Sequence, residues 1–145
     1  MKAFFVFDIK NEIVSLYKDN QLVLFDILRQ IYYLDRSDVL YGYNLLNQLV
    51  ENIDKDMIDR ETFIKFHRNI PYSKEGNIHY YNNLYRNEIS RMIVSKRFIK
   101  IEMEQKRSTF FEIINKYSSN YFVCDFDNLD YFFLSDTVKV DFCYC

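Results

Sequence analysis

Residues 3–9 read AFFVFDI, and this stretch does most to decide the fold. Large apolar side chains occupy both odd and even positions, so a strand here is apolar on both of its faces. Such a strand belongs in the interior of a sheet, where each face packs against another layer. We therefore expect a central strand over Ala3–Ile9, with the rest of the chain arranged around it.

Three helical segments are expected to follow this strand. Asn11 is a candidate N-cap for a short helix over Glu12–Lys18. Apolar side chains recur at helical spacing over Gln21–Leu34 and again over Asp38–Ile53, which predicts two longer amphipathic helices. The acidic stretch Glu51–Asp59 then reads as a turn region.

The middle of the chain has the weakest periodicity. Glu61–Arg68 fits either a strand or a short helix. Asn69–Asn83 contains Pro71 and Gly76 and is predicted to be a long surface loop. A brief helix is expected over Asn82–Glu88.

The second half alternates strands with one helix. Thr109 and Glu112 match a capping box, which predicts a helix from there to about Tyr117. A tight link at Lys96 and Arg97 joins the first two strands into a hairpin. The strands are expected at Ser90–Ser95, Phe98–Glu104, Tyr121–Phe126 and Tyr131–Leu134, with Val138–Phe142 as a further short strand or a tail.

The resulting order is β-α-α-α-(irregular)-β-β-α-β-β. This order favours an α+β fold with α/β layers, in which a mostly antiparallel sheet packs against helices. The length of 145 residues suits one domain with its own core, so we expect a single domain over residues 1–145.

Composition and charge argue against several functions. The chain has only two glycines, whereas phosphate-binding loops need the close backbone approach that glycine permits. The net charge is −2, and proteins that bind duplex DNA normally carry a strong basic excess. The basic segment Ser90–Arg107 also contains Glu102 and Glu104, so we interpret it as a solvated face. We expect no cofactor, no small-molecule substrate and no direct contact with nucleic acid.

Targeting signals are equally scarce. Asp8 interrupts the apolar N-terminal run and no cleavage site follows it. No run approaches the roughly 18 apolar residues of a membrane span. Cys124, Cys143 and Cys145 are therefore expected to be reduced thiols. These observations predict a cytoplasmic protein without a membrane partner.

Two catalytic readings are weighed against structural ones. The histidines and cysteines lack the spacing of a zinc site. Cys124 beside His67 or His79 could form a nucleophilic pair, but no strand-to-helix elbow follows it, and a buried core thiol is the favoured reading. Acidic side chains also cluster near the end of the chain and could bind a cation or act in acid–base catalysis, although aspartates in turns usually bond the local backbone. These are Asp125, Asp127 and Asp130.

A binding surface is the other possibility. Tyr17 lies on the first short helix, and tyrosine is favoured at protein interfaces because it brings a large area and one hydroxyl. Gln48 and Asn52 lie four residues apart on the polar side of the predicted third helix. From the residues alone, Tyr17 is better explained as a core residue, or as one packed under a loop, than as an interface residue.

Several stretches together carry a family resemblance. They run in the same order along nearly the whole chain and include an aromatic strand, a short helix that ends in tyrosine, and a Thr-x-Phe-Glu helix start. They are Phe7–Ile13 with Tyr17, Val23–Asp26, Gln48–Ile53, Thr109–Ile113, Tyr121–Phe126 and Tyr131–Leu134.

This pattern resembles the sporulation inhibitor of replication family, SirA (YneE). The resemblance implies a non-enzymatic protein that binds the N-terminal domain of the replication initiator DnaA during commitment to sporulation. It also implies a partner-binding face made by Ile13, Tyr17, Gln48 and Asn52. Ile13 stands where the family has an aromatic residue. The alternatives are a domain of the same fold with another protein partner, or a small Cys- or Asp-dependent enzyme.

Overall fold

The computed structural model describes residues 1–104 and 108–136, so the predicted strand or tail over Val138–Phe142 lies outside the described residues. The helices are α1 (Asn11–Tyr17), α2 (Gln21–Tyr32), α3 (Val39–Leu49), α4 (Lys55–Phe66) and α5 (Thr109–Ile114). Short 3-10 turns at Arg36–Asp38 and Asn115–Tyr117 precede α3 and follow α5. The strands are β1 (Lys2–Asp8), β2 (Tyr72–Glu75), β3 (Ile78–Asn83), β4 (Glu88–Val94), β5 (Ile99–Met103), β6 (Tyr121–Asp125) and β7 (Asp130–Phe133).

Within the described residues, the seven strands form one antiparallel sheet in the order β2-β3-β4-β5-β1-β6-β7. The first strand is interior, as predicted, because β1 pairs with β5 on one edge and with β6 on the other. Phe5 stands opposite Lys100 of β5 and opposite Cys124 of β6. The predicted α+β class, with a mostly antiparallel sheet packed against helices, is confirmed.

Helices cover both sides of the sheet. Successive side chains of β1 point to opposite sides. Val6 points toward α4 and α5 and joins a core that includes Phe110. Phe5 and Phe7 point the other way and join a second core that includes Phe25 of α2. We call these the α4 side and the α2 side of the sheet. Each fully buried phenylalanine contributes about 1.5–3 kcal/mol through removal of its ring from water.

The predicted loop over Asn69–Asn83 is wrong, since the chain there forms the β2–β3 hairpin. Gly76 makes its turn with a φ of +59°, a left-handed conformation that glycine adopts without strain. Tyr72 and Tyr81 are paired across the hairpin and both are buried on the α4 side. The polar residues of this stretch concealed its alternation, because one of its inward residues is the fully buried His79.

Two further predictions in this region are corrected. Glu51–Asp59 is only partly a turn, because α4 begins at Lys55, where the Asp54 side chain accepts a hydrogen bond from the Met57 N–H at 3.2 Å. Of the two readings of Glu61–Arg68, the helix is right. The brief helix over Asn82–Glu88 is wrong, since this stretch is the end of β3, the turn and the first residue of β4, with Asn87 at a φ of 52°.

Both predicted helix caps are displaced by longer-range hydrogen bonds. Asn11 is the first residue of α1 instead of its cap, and its Oδ1 accepts from Asn120 Nδ2 at 2.5 Å. Ser108 caps α5 by accepting from the Phe110 N–H at 3.2 Å. Thr109 instead donates to Glu88 of β4 from both its N–H and its hydroxyl. The hairpins β4–β5 and β6–β7 form as predicted.

Candidate protein-binding site

The end of β1 places the start of α1 beside the end of α3. Ile9 forms an isolated bridge with Val50, the residue after α3. The Lys10 N–H donates to the Leu49 carbonyl at 3.0 Å, and the Glu51 N–H donates to the Asp8 carbonyl at 2.7 Å. These backbone hydrogen bonds hold the two helix ends at the same corner of the sheet.

Helix α1 is short and poorly covered by the rest of the protein. Its seven residues span about 10 Å, and none of them is buried. Ile13, Val14 and Tyr17 are half-buried against the α2-side core. Leu16 is 68% exposed. The helix therefore presents apolar side chains that the described part of the chain covers incompletely.

The structure places the two polar residues of the predicted face differently from the prediction. Gln48 is exposed in the last turn of α3. Asn52 is also exposed, but it lies in the extended segment after the helix. The expectation that both lie on one helix is wrong, because Val50 turns to extended backbone (φ −120°, ψ 150°) in order to pair with Ile9.

Sequence reasoning missed the most exposed apolar residues of this corner. Helical spacing alone predicts that Leu16 lies on the same side of α1 as Ile13 and Tyr17. In the structure it points away from the core, and Leu22 at the start of α2 is also exposed, at 52%. Helical spacing places residues on one face but does not show how much of that face another element covers.

The carboxylate that ends β1 is held in an unusual environment. Burial raises the pKa of Asp8, and the nearby Glu51 acts in the same direction. The Ser118 hydroxyl opposes both effects by donating to Asp8 Oδ1 at 2.7 Å. The corner therefore carries two neighbouring carboxylates, Asp8 and Glu51.

The geometry does not support the cysteine-dependent alternative. Cys124 is fully buried in the α2-side core, and burial strongly raises the pKa of its thiol. His79 points to the α4 side, and His67 caps the end of α4, so both lie across the sheet from Cys124. Cys143 and Cys145 lie outside the described residues.

In the acidic cluster at the turn between β6 and β7, Asp125 and Asp130 make local hydrogen bonds, and Asp127 is exposed. Asp125 accepts hydrogen bonds from the Asn128 N–H at 3.2 Å and from the Asn128 side chain at 2.8 Å. Asp130 accepts from the Tyr131 N–H at 2.9 Å. Across the described residues, no group of three or more histidine, cysteine, aspartate or glutamate side chains is arranged to hold a metal ion.

The most connected titratable group lies inside the α4 side of the sheet. His79 Nε2 donates to Asp59 Oδ1 at 2.7 Å, and the Tyr72 hydroxyl lies 2.8 Å from His79 Nδ1. Since Asp59 only accepts when ionised, a neutral ring carries its hydrogen on Nε2 and accepts from Tyr72 at Nδ1. Burial lowers the pKa of His79 and raises that of Tyr72 to about 12. The group is enclosed and is best understood as a structural link between α4 and the β2–β3 hairpin.

The fold and this corner define the class of the molecule: a small α+β protein whose first helix leaves apolar side chains uncovered. The profile of the sporulation inhibitor of replication protein SirA matches residues 2–138, and the chain therefore belongs to the SirA family. This is a family of regulatory inhibitors and is not a known enzyme family. The comparison with curated proteins gives no match. No helix in residues 1–104 and 108–136 is long and apolar enough to cross a membrane.

Proposed function

We propose that this protein inhibits the initiation of DNA replication by binding the N-terminal domain of DnaA during commitment to sporulation. The observation that carries the proposal is the family match over residues 2–138, which supports a role in inhibiting replication during sporulation and implies a protein partner. We also propose that the protein acts in the cytoplasm, where DnaA meets the chromosome, and that residues 1–145 work as one domain.

The corner where α1 meets the end of α3 is the proposed binding face. Ile13 and Tyr17 supply the half-buried apolar part of this face, and Gln48 and Asn52 supply exposed amides beside it. We add Leu16, because an exposed leucine next to a half-buried tyrosine gives the kind of apolar centre that dominates protein interfaces.

The direct test is titration calorimetry of the full chain against the isolated N-terminal domain of DnaA from the same cell. We expect a one-to-one complex. Absence of binding at about 100 μM would contradict the proposal, because weaker affinity corresponds to less than ~6 kcal/mol of binding free energy. Capture of a different protein through the same face would then favour the alternative in which the fold serves another partner.

Variants of the face separate binding from folding. Tyr17→Ala should weaken the complex by about 30-fold or more if the tyrosine is an interface centre. Because Tyr17 is half-buried, the melting temperature of the Tyr17→Ala variant must be measured too. A large fall in that temperature would assign Tyr17 to the core.

Leu16→Ala offers a cleaner test, since this side chain is mostly exposed. It should weaken binding with little change in melting temperature. Ile64→Ala is the matched control, because Ile64 is 61% exposed on α4, which packs on the opposite side of the sheet. Equal effects of the two substitutions would exclude the proposed face.

A further inference from the structure

A cavity of about 290 Å³ opens on the α2 side of the sheet, between α2 and α3. Phe5, Phe7 and Phe98 lie on the sheet side of it, and aliphatic and tyrosine side chains of the two helices form the walls. Residues of α1 do not line it, so it is separate from the proposed DnaA-binding face.

The packing of α2 against α3 leaves this cavity unfilled. Gly42 of α3 is in close contact with the α2–α3 connection, since a Cβ added there would lie 2.9 Å from Leu34 Cδ1. The helices therefore meet tightly at Gly42. Val39 and Tyr43, on either side of it along α3, are about half exposed and form the opening of the cavity.

Two cations lie against rings that line the cavity. The Lys100 ammonium is 5.6 Å from the centre of the Phe5 ring, and the Arg97 guanidinium is 5.3 Å from the centre of the Tyr43 ring. Lys100 has a distant carboxylate partner, Glu102 at 3.6 Å, and Glu102 is itself bound more closely by Arg91 at 2.7 Å. Arg97 donates to the neutral Asn47 Oδ1 at 2.6 Å. Both cations therefore retain capacity for an anion.

We infer that this cavity binds a small apolar carboxylate, with its hydrocarbon part against Phe5, Phe7 and Phe98 and its carboxylate near Arg97 and Lys100. An apolar cavity of about 150 Å³ accepts one benzene, so the present cavity has room for a longer chain or a larger ring. Apolar walls with a few polar groups at fixed positions are typical of small-molecule sites. The inference does not depend on DnaA binding.

The bound molecule would be an effector and not a substrate. Of the described side chains that line the cavity, the only ones that carry a titratable group are Tyr32 and Tyr43. The ordinary pKa of tyrosine, about 10, keeps the Tyr32 hydroxyl protonated at neutral pH, and burial raises this pKa further. No acid–base pair is therefore available at the wall.

Octanoate is a suitable probe, with octylammonium as its counterpart of opposite charge. Two-dimensional NMR of the full chain should show saturable shifts with millimolar octanoate for backbone amides of Phe98, Tyr43 and Leu46. Octylammonium should produce much smaller shifts, because Arg97 and Lys100 repel it. Absence of saturable shifts with octanoate, or equal binding of the two probes, overturns the inference.

Substitutions locate the carboxylate. Arg97→Gln and Lys100→Gln should each weaken octanoate binding by up to about five-fold, the range of a partly exposed charge pair. Lys96→Gln is the matched control. Lys96 is an exposed neighbour of Arg97, and its substitution by glutamine removes the same positive charge. Equal effects of all three substitutions would mean that general charge, and not this site, attracts the probe.

Filling the opening gives an independent check. Val39→Phe should abolish the octanoate shifts while the melting temperature changes little, because Val39 is about half exposed. Retention of octanoate binding by a folded Val39→Phe variant would place the ligand elsewhere and overturn the inference.

Discussion

Replacement of His79 by glutamine should remove most of the acid sensitivity of the protein near neutral pH. His79 is fully buried between α4 and the β2–β3 hairpin. Glutamine provides both a donor for Asp59 and an acceptor for Tyr72, but it does not titrate. The substitution therefore changes the protonation behaviour of this position more than its hydrogen-bonding pattern.

The sign and size of the effect follow from the surroundings of the ring. Burial lowers the pKa of His79, hydrogen bonding and attraction from Asp59 oppose this, and Lys74 and Lys55 reinforce it. Below about pH 6.5 the unfolded chain therefore binds a proton that the folded protein binds more weakly, so stability falls as the pH falls. Between about pH 7.5 and 5.5 the loss from this one residue reaches up to ~1.4 kcal/mol.

Urea denaturation at a series of pH values measures this loss directly. The wild type should lose stability toward pH 5.5, and His79→Gln should lose much less, whatever its starting stability. His67→Gln is the matched control, since His67 is exposed at the end of α4. If His67→Gln flattens the profile and His79→Gln does not, our account of the buried ring is wrong. An NMR titration of the His79 ring in the wild type gives the same answer if the variant does not fold.

Three further predictions concern groups inside the fold. Cys124 should resist thiol reagents in the native protein and react fully in urea, because it is buried and burial raises the pKa of its thiol. Mass spectrometry of the labelled peptides identifies the site, and rapid labelling of Cys124 in the native protein would contradict its burial. Glu88→Ala should cost about 2–3 kcal/mol by urea denaturation and Thr109→Val only about 1 kcal/mol, since the first removes a buried carboxylate that accepts two hydrogen bonds from Thr109 and the second removes only one of these bonds; equal losses would show that Glu88 does not hold α5. Asp125→Ala should lower stability by about 0.5–1.5 kcal/mol through loss of its hydrogen bonds to the exposed Asn128, and an unchanged melting temperature would exclude that role.

The parts of the fold that could be predicted from sequence are those with strong local patterns. The continuous apolar run at Ala3–Ile9 identified a central strand, and the tight link at Lys96 and Arg97 between two strand-like segments identified a hairpin. The β2–β3 hairpin escaped notice because one of its inward residues is His79, which bonds Tyr72 of the same hairpin and, above all, Asp59 of α4, twenty residues away in the chain. Local pattern carries no information about such distant partners.

The caps and the binding face show the same limit. Thr109 matched a capping box, yet its hydroxyl bonds Glu88, twenty-one residues away in the chain. Asn52 was expected on α3, but the bridge between Ile9 and Val50 ends the helix before it. The resemblance to a family nevertheless identified α1 as a candidate contact element, and the structure adds that Leu16 is its most exposed apolar side chain.

The two sides of the sheet differ in how completely their helices cover the strands. On the α4 side, polar links such as His79–Asp59 and Glu88–Thr109 connect helices to strands within a closed core. On the α2 side, α1 has no buried residue and the α2–α3 layer leaves a cavity open over Phe5. Substitutions on the α4 side should therefore act mainly on folding, whereas exposed positions on the α2 side can change without loss of the core. If the proposed binding face is right, the α4 side is the scaffold of the fold and the exposed positions of the α2 side are the ones that can vary to fit a partner.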